Sequence, residues 1–475
     1  MDKKIKKNYL LNSINQVLVL IIPLITTPYL SRVLEPDGIG IYSYKSSITA
    51  YFVLFATFGI SCYGQRAISY CQDDVYRRSV TFWETTIIKA LSSSISLLFF
   101  LIMASQSASS TLYYIMSLNI ISCLFDISWF YQGIEDFKSI TIRNLFFKAL
   151  NVICILIFVR KKSDIYIYSL ITLGGMALNS ISLWMGIRRH IRFITLNQLH
   201  PLRRLPVVLS LFAPSIAIEI YTVLDKTMIG WITKDSFQSG YYEQALKITK
   251  TALAVVTSMG AVMMSRIGHY HAIKEKEKLN STLYDSFRFV WFISIPICFG
   301  LIAISNNFVP WLFGKGYDDV SLLIRILSPL VVFIGISNVT GIQYLVPVGR
   351  QKDYTTSVVA GAIINLILNM ILIPKFQSIG AAFASICAEL TVSVFQLLLI
   401  RKEVPLLSIL KLSIKYLIAG LVMIISLTFL NRFFKPSILS TLILIIAGAA
   451  IYFLVLLIEK DTMIKEFVIT TKKKN

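Results

Sequence analysis

Long apolar runs, separated by short polar segments, extend from near residue 8 to near residue 459 of the chain. A helix that crosses the roughly 30 Å hydrocarbon core of a bilayer needs about 20 residues, and fourteen runs have this length. Backbone amides inside a bilayer need internal partners, so such runs form helices. The predicted segments are 8–31, 39–65, 79–105, 110–132, 139–159, 165–187, 206–230, 239–265, 284–305, 320–346, 355–374, 379–400, 408–431 and 437–459.

This pattern predicts an all-α polytopic membrane protein with about fourteen transmembrane helices. Apolar residue types make up 56% of the 475 residues and charged types 15%, whereas a soluble protein typically carries about 25% charged residues. The composition therefore argues against a soluble enzyme, a disordered chain and a secreted disulfide scaffold. The start of the chain leads into the first run without a small-residue cleavage site, which predicts a retained helix rather than a signal peptide.

The basic residues are distributed unevenly between alternate loops. With an even number of spans, both termini share one side, and the loops on that side hold 28 of the 46 Lys and Arg residues while the opposite loops hold nine. The positive-inside rule then predicts a multi-pass protein with cytoplasmic N- and C-termini. The same rule accounts for the net charge of +21, so no nucleic-acid partner is predicted. The cluster 160–162 is an exception, which indicates either a misplaced helix or a role outside.

The chain resembles itself at an offset of 200 residues. Gly40-Ile41-Tyr42 matches Gly240-Tyr241-Tyr242, and Arg66 and Tyr70 match Arg266 and Tyr270. Six helices form an even number, so two such repeats enter the membrane in the same orientation. We therefore predict a six-helix lobe at 1–200, a second at 201–402, a central cavity between them, and an additional helix pair with a basic tail at 403–475.

Ionisable residues within the predicted helices are candidates for function, because each costs about 2.5–3.5 kcal/mol at a helix centre. Glu243, Lys247 and Lys250 stand at i, i+4 and i+7, on one helix face. Cations lining a cavity would attract a phosphate-bearing substrate. The candidate cavity residues are Lys45, Lys148, Lys226, Lys247, Lys250 and Arg325. Arg288 and Lys415 lie near helix ends, where we expect their side chains to extend to the membrane surface.

Acidic residues in the helices leave two alternatives open, pairing with the cations or coupling transport to an ion. They are Asp126, Glu219, Asp225, Glu243 and Glu389. No catalytic constellation, metal site or cofactor is predicted, and a proton, a sodium ion or the membrane potential could supply the energy.

The first helix is the candidate gate. Pro23 and Pro28 interrupt helical hydrogen bonding and permit a bend, and Arg32 follows them at the end of the helix.

Three motifs resemble those of polysaccharide repeat-unit flippases, which belong to the multidrug/oligosaccharidyl-lipid/polysaccharide exporter superfamily. They are Arg32-Val-Leu-Glu-Pro-Asp-Gly-Ile-Gly-Ile-Tyr-Ser-Tyr44, Trp129-Phe-Tyr-Gln-Gly133, and Leu224-Asp225-Lys226 with Gly240-Tyr-Tyr-Glu-Gln-Ala245. The resemblance implies two six-helix lobes around a central cavity, often with two extra C-terminal helices. It implies translocation of undecaprenyl-diphosphate-linked oligosaccharides across the bacterial cytoplasmic (inner) membrane, by alternating access, for O-antigen or capsule synthesis. The implied partners are this lipid-linked glycan, membrane lipids, and the polymerase and chain-length machinery.

Two other functions remain as alternatives. A cation-coupled drug exporter of the same fold should have a more acidic and aromatic cavity than these residues indicate. A glycan polymerase or ligase usually needs a substantial external loop, and the predicted external loops are short. We therefore expect a transporter and not an enzyme.

Overall fold

The computed structural model describes residues 3–107, 110–404, 406–461 and 463, with side chains except those of 3–24, 196, 210–211, 213–215, 217–221, 261 and 406–407. The described chain is helical and has no strands. The helices of its first half are α1 (Lys3–Thr57), α2 (Ile60–Ser69), α3 (Val75–Ser105), α4 (Ser110–Phe125), α5 (Ser128–Gly133), α6 (Phe137–Phe158), α7 (Ile165–Ser182) and α8 (Leu205–Thr233).

The second half continues with the same all-helical architecture. Its helices are α9 (Ser236–Thr257), α10 (Gly260–Ala272), α11 (Lys276–Phe313), α12 (Asp318–Leu327), α13 (Leu330–Ser337), α14 (Gln351–Ile400), α15 (Leu406–Asn431) and α16 (Ile438–Ile458). A π-helix at Asn338–Leu345 continues α13. Short 3-10 segments lie at Lys162–Asp164, Leu183–Arg189, Leu196–Gln198 and Pro201–Arg204.

The prediction of about fourteen spans agrees with these helices. Within the described ranges, ten helical stretches are long and apolar enough to cross a membrane, or eleven if α9 and the bent helix after it form one span. Glu35 (φ 58°, ψ 172°) breaks α1, and Gln377 (φ 51°, ψ −129°) breaks α14. An unbroken helix of 50 residues would be about 75 Å long, so each break separates two spans. With α8 included, helical segments occupy all fourteen predicted positions.

Close helix approach at the second break depends on a glycine. A Cβ atom on Gly380 would lie 2.4 Å from the carbonyl oxygen of Leu372. Only a residue without a side chain fits there, so the two arms of α14 can turn sharply around Gln377.

The chain forms two compact units, which we call unit 1 (Met1–Thr227) and unit 2 (Met228–Asn475). The predicted lobe boundaries stay a prediction. In each unit, we call the end that the charge pattern assigns to the cytoplasm the inner end. The inner end of unit 1 carries the connections at 70–74, 134–136 and 190–204, and that of unit 2 carries those at 273–275 and 346–350.

One span in each unit is broken, and the two breaks stand at corresponding positions. In unit 1, α1 ends at Thr57 and α2 begins at Ile60; in unit 2, α9 ends at Thr257 and α10 begins at Gly260. The offset is the 200 residues at which the sequence resembles itself. The two halves therefore share a local backbone feature as well as sequence matches.

The inner end of unit 1 has an aromatic core. The Phe82 and Trp129 rings stack with centroids 5.6 Å apart, and the Tyr131 hydroxyl donates to the Leu183 carbonyl oxygen at 2.7 Å. A Cβ atom on Gly64 would lie 2.4 Å from the Trp129 ring. The motif 129–133 thus packs α5 against α2, and its tight fit requires a glycine at position 64.

Candidate substrate-binding site

Lys45 is the most deeply buried of the predicted cavity cations, with 7% of its surface exposed. Its Nζ atom lies 4.3 Å from the centroid of the Tyr113 ring. A lysine ammonium over an aromatic face is stabilised by the ring quadrupole, and more strongly where water is excluded. The α1 arm that follows Glu35 thus holds a cation inside the apolar part of unit 1.

Lys226 lies on α8, close to the helix that carries Lys45. The Thr227 hydroxyl donates to Ser47 Oγ at 2.9 Å, and it lies 3.1 Å from the Tyr51 hydroxyl. These contacts bring the two helices together one residue after Lys226. Asp225 and Lys226 are both half-buried. Adjacent residues on a helix diverge in direction, so they do not share one face.

Lys148 lies on a polar face of α6. Asn144, Lys148 and Asn151 are spaced i, i+4 and i+7, which places them on one side of the helix. Asn179 Nδ2 donates to Asn144 Oδ1 at 2.8 Å, and a Cβ atom on Gly175 would lie 2.0 Å from Asn151 Oδ1. This face of α6 therefore meets α7, with half-buried Lys148 between the two asparagines.

In unit 2, α9 separates its packing residues from its charged ones. Tyr242, Ala245 and Thr249 are buried, and the Tyr242 hydroxyl lies 3.0 Å from Ser385 Oγ in the second arm of α14. Glu243 and Lys247 are half-buried and Lys250 is exposed. The three charged residues thus lie on another face of α9 from the residues that pack inside the unit.

Arg325 lines a cavity that lies within unit 2. Its Nε atom donates to Ser305 Oγ at 2.9 Å. The cavity has a volume of about 470 Å³ and includes Asn306, Asn307 and Asn431 among its walls. Because three asparagines contribute to its walls, we call it the amide cavity. It lies where α11, α12 and α15 meet, at the outer end of the unit.

Asn307 is a residue of the amide cavity that sequence reasoning missed. It is 1% exposed, and its Oδ1 accepts from the hydroxyls of Ser440 and Thr441 at 3.1 and 2.6 Å. Its Nδ2 has no hydrogen-bond partner among the described residues. The only sequence signal is a pair of asparagines, 306 and 307, near the end of an apolar run.

Asp126 lies in the break between α4 and α5 and contacts a buried cation. Lys89 is 1% exposed, its Nζ donates to the main-chain carbonyl oxygen of Asp126, and it lies 3.9 Å from Asp126 Oδ2. Asp126 Oδ1 also accepts from the Ser128 amide at 2.9 Å. The contact is a charge pair, and a coupling role for Asp126 stays a prediction. Glu389 is half-buried, and the side chain of Glu219 lies outside the described residues.

In the candidate gate, the break in helical geometry lies after the prolines, and a gating role for Pro23, Pro28 and Arg32 stays a prediction. Pro28 lies within a helical stretch of α1, the side chain of Pro23 lies outside the described part, and the break occurs later, at Glu35. Arg32 is exposed one turn before it. The bend falls there because Glu35 adopts a positive φ, which stops the helix directly.

The outer basic cluster at 160–162 contacts this break. Lys162 Nζ lies 3.2 Å from Glu35 Oε2 and 3.0 Å from Asp37 Oδ2. Both helices flanking the cluster, α6 and α7, occupy their predicted positions. A misplaced helix therefore does not explain the cluster, and Lys162 is accounted for by ion pairs between the two outer connections.

The expectation for Arg288 and Lys415 was wrong. Both contact Asp461, whose side chain is fully buried: Arg288 Nη2 lies 3.5 Å from Oδ1, and Lys415 pairs with Oδ2. Tyr416 also donates to Oδ2, at 3.2 Å. The cations turn to a buried carboxylate rather than to the membrane surface. Asp461 is 173 residues from Arg288, so no local sequence pattern indicated the contact.

Metal coordination has no evident basis in the described ranges. There, His, Cys, Asp and Glu side chains do not form a group of three or more that could hold a metal ion.

Comparison with known proteins places the chain in a family. The family model described as polysaccharide biosynthesis protein matches residues 5–271, more than half of the chain. The chain belongs to this family. Among its relatives, a putative O-antigen transporter of Escherichia coli (strain K12) is 24% identical over 400 residues, which are 81% of this chain and 93% of that protein.

Solved structures share the fold of this family member. A lipid II flippase, MurJ, in an inward closed conformation matches with a TM-score of 0.72 and 19% identity, covering 95% of this chain and 99% of that one. An inward-facing multidrug resistance transporter of the MATE family matches with a TM-score of 0.62 and 14% identity, covering 83% and 98%. The polytopic fold predicted from the resemblance is thus confirmed.

Proposed function

We propose that this protein is a flippase that moves undecaprenyl-diphosphate-linked oligosaccharides from the inner to the outer leaflet of the bacterial cytoplasmic membrane. Family membership and similarity over most of a putative O-antigen transporter support the class of substrate. The MurJ-like fold supports a transport architecture. In this proposal both termini are cytoplasmic, and O-antigen or capsule synthesis consumes the translocated units.

The observation that carries the proposal is the set of cations at membrane depth. Lys45 is buried beside Tyr113, and Lys247 lies half-buried on the charged face of α9. A diphosphate loses hydration as it crosses the bilayer, and this loss is costly unless other groups replace the water. Fixed cations supply that replacement, and in a low-dielectric setting they attract an anion more strongly than in water.

The proposed mechanism is alternating access without a covalent step. Cations bind the diphosphate, polar side chains accompany the sugars, and the lipid tail stays in the bilayer. The acids either order the cations or couple the cycle to a proton, a sodium ion or the membrane potential. In this view the protein is not an enzyme and needs no cofactor. Polymerase and chain-length proteins would receive the product.

Cells that lack the protein provide the direct test. We expect undecaprenyl-diphosphate-linked oligosaccharide to accumulate in the inner leaflet and the surface polysaccharide to disappear. Accumulation of unpolymerised units in the outer leaflet would instead indicate a polymerase or ligase. Unchanged glycan with altered sensitivity to cationic compounds would indicate a drug exporter. Either of these results would overturn the proposal.

Complementation of the same cells tests the lysines of α9. We expect Lys247→Ala/Lys250→Ala to restore less than a tenth of the surface glycan at equal membrane abundance, because two cations of the proposed cavity are lost. The matched control is Lys276→Ala/Lys278→Ala, which removes two exposed lysines at the start of α11. Normal glycan with the first double variant would contradict the assignment of these lysines without affecting the result of the deletion.

A further inference from the structure

The inner end of unit 1 contains a pocket with four arginines. The pocket has a volume of about 510 Å³ and lies between α2, α3 and the 3-10 segment at Pro201–Arg204. Arg66, Arg77, Arg203 and Arg204 line it, and we call it the arginine pocket. Arginine presents a planar set of donors that matches phosphate oxygens.

A buried carboxylate fixes one side of the arginine pocket. Glu84 is 4% exposed; its Oε2 accepts from Arg204 Nε at 2.8 Å, and its Oε1 accepts from the His200 amide at 2.8 Å. These bonds hold the 3-10 segment against α3. Arg66 is also oriented, because its Nε donates to the Tyr70 hydroxyl at 2.9 Å. Arg203 is exposed, so the pocket presents positive charge on a rigid frame.

An apolar groove shares α3 and the 3-10 segment with this pocket. Its volume is about 680 Å³, and its walls include Phe55 and Phe58 at the end of the second α1 arm, Leu91 and Phe99 on α3, and Leu202 of the 3-10 segment. We call it the phenylalanine groove. Leu91, Phe99 and Leu202 are 58%, 60% and 77% exposed, so the groove is open at the surface of unit 1.

The polar groups within the phenylalanine groove are already satisfied. Ser92 Oγ donates to the Ala56 carbonyl oxygen at 2.9 Å, and Ser96 Oγ donates to the Phe52 carbonyl oxygen at 2.6 Å. The groove therefore offers apolar surface without competing hydrogen-bonding groups, which suits a hydrocarbon chain.

Pocket and groove follow one another along α3 and the 3-10 segment, which line both. On α3, Thr81 lines the arginine pocket and Ile88 lines the groove, and seven helical residues span about 10 Å. In the 3-10 segment, Leu202 lines the groove and Arg203 lines the pocket. Together they have the shape of a lipid, with an anionic head near the inner end and a chain directed toward the membrane interior.

We propose that the arginine pocket and the phenylalanine groove form a docking site for a polyprenyl diphosphate, which loads the substrate before it enters the transport path. The diphosphate lies among the arginines and the first isoprene units lie in the groove. Of the four arginines, Arg204 is paired with Glu84, and Arg77 Nε lies 3.5 Å from Asp74 Oδ2. The net positive charge that remains suits a headgroup with more than one negative charge better than a monoanionic phospholipid. The identity of the lipid rests on the proposed function; the site itself lies wholly within unit 1.

Site-specific cross-linking on the full-length protein tests this proposal. The Leu202→p-benzoylphenylalanine variant is reconstituted in neutral phosphatidylcholine nanodiscs. It is then illuminated in the presence of radiolabelled undecaprenyl diphosphate. We expect saturable labelling that unlabelled undecaprenyl diphosphate blocks, while equal concentrations of undecaprenol or phosphatidylglycerol do not. Equal competition by undecaprenol would show that the headgroup is not recognised, and equal competition by phosphatidylglycerol would identify a bilayer-phospholipid site; both would overturn the proposal.

Paired variants locate the headgroup and the chain. We expect Arg66→Gln/Arg203→Gln to raise the half-saturating concentration at least tenfold, and Arg188→Gln/Arg189→Gln, at the same end of unit 1, to change it less than twofold. Leu91→Trp should fill the groove and reduce labelling at least fivefold, whereas Leu98→Trp, equally exposed on α3 at 58%, should not. If the double variant of Arg66 and Arg203, or Leu91→Trp, leaves the labelling unchanged, the docking site is contradicted.

The two proposals fail in different ways. If the deletion strain keeps its surface glycan, the flippase function is wrong whatever the cross-linking shows. If the strain loses its glycan while labelling at position 202 is insensitive to the arginines and to the groove, only the docking site is wrong.

Discussion

A buried carboxylate lies at the inner end of each unit, and the two carboxylates organise different surroundings. Glu84 in unit 1 fixes Arg204, while Arg66 and Arg203 beside it stay exposed at an open pocket. Asp461 in unit 2 meets two cations whose side chains are only 10% and 26% exposed. The buried carboxylate of unit 1 thus has exposed arginines beside it, whereas the cations around the buried carboxylate of unit 2 are largely enclosed.

The difference indicates distinct roles for buried ion pairs within one fold. The Asp461 cluster joins α11, which carries Arg288, to α15, which carries Lys415, and to the segment after α16. An enclosed cluster of this kind serves assembly of the added helix pair. The Glu84 pair orients a loop whose other cations remain available to a ligand. The two clusters differ in how exposed their cations are, rather than in how many charges they contain.

Loss of Asp461 should have the largest effect on stability. Asp461→Ala leaves Arg288 and Lys415 without their buried counter-charge, and removing one partner of a buried pair typically costs about 3–5 kcal/mol. We expect a large fall in the Tm of the detergent-solubilised protein. The matched control is Asp353→Ala, which removes a carboxylate from a half-buried, solvent-accessible i, i+3 pair with Arg350. Arg350 keeps its second partner, Glu403, so the change should cost about 1 kcal/mol or less.

A compensating variant sharpens this result. Arg288→Met/Lys415→Met/Asp461→Leu replaces the whole cluster by apolar groups and should recover most of the lost Tm, because no buried charge remains. If Asp461→Ala has the same Tm as the Asp353→Ala control, the enclosed cluster does not hold the helix pair in place.

The sequence predicted the spans but not these clusters, for a physical reason. Span length and hydropathy are set by bilayer thickness, so the segments 437–459 and 379–400 were recognisable without any tertiary contact. The side-chain partners of Arg288 and Glu84 lie 173 and 120 residues away. Depth along a helix can be inferred from sequence, whereas the direction in which a side chain points depends on which helices pack together.

The same limit applies to the candidate site. Periodicity correctly placed Glu243 and Lys247 on one helix face, because that follows from helical geometry alone. It could not reveal that Arg325 lines the amide cavity beside Asn307, since this depends on the packing of α15. The break at Glu35 was also hidden, because helix-breaking prolines stood nearby and a positive φ at glutamate has no strong sequence signal.

Neutralising Glu84 should have an intermediate effect. It tests whether Arg204 only holds the 3-10 segment in place or can also bind a ligand phosphate. Glu84→Gln keeps an acceptor for the His200 amide but removes the counter-charge of Arg204. We expect two- to fivefold tighter cross-linking of undecaprenyl diphosphate at position 202, because Arg204 gains a ligand phosphate as its anionic partner. Stability should fall by about 1–3 kcal/mol. A lower Tm with unchanged labelling would mean that Arg204 is purely structural.

The smallest expected effect concerns pH at the loop that carries the arginine pocket. Burial, together with nearby Arg78 and Arg189, holds the pKa of His190 below its usual value, and Asp136 opposes this. The fold thus favours the neutral ring, which packs beside Phe130. The stabilisation is complete above the ordinary pKa of about 6.5 and is lost as the pH falls through that value toward the folded pKa.

Hydrogen exchange resolves this effect because it reports on the loop alone. We expect protection of the peptide covering 190–195, corrected for intrinsic exchange, to fall between pH 7.5 and 5.5 by less than tenfold per pH unit. The decline should be smaller in His190→Gln, which cannot gain a proton. A peptide covering 401–404 in unit 2 should show no such difference between the two proteins, since it lies in the other unit. If His190→Gln loses protection as steeply as the wild type, another group governs the pH dependence of the loop. The pH response would then no longer distinguish unit 1 from unit 2.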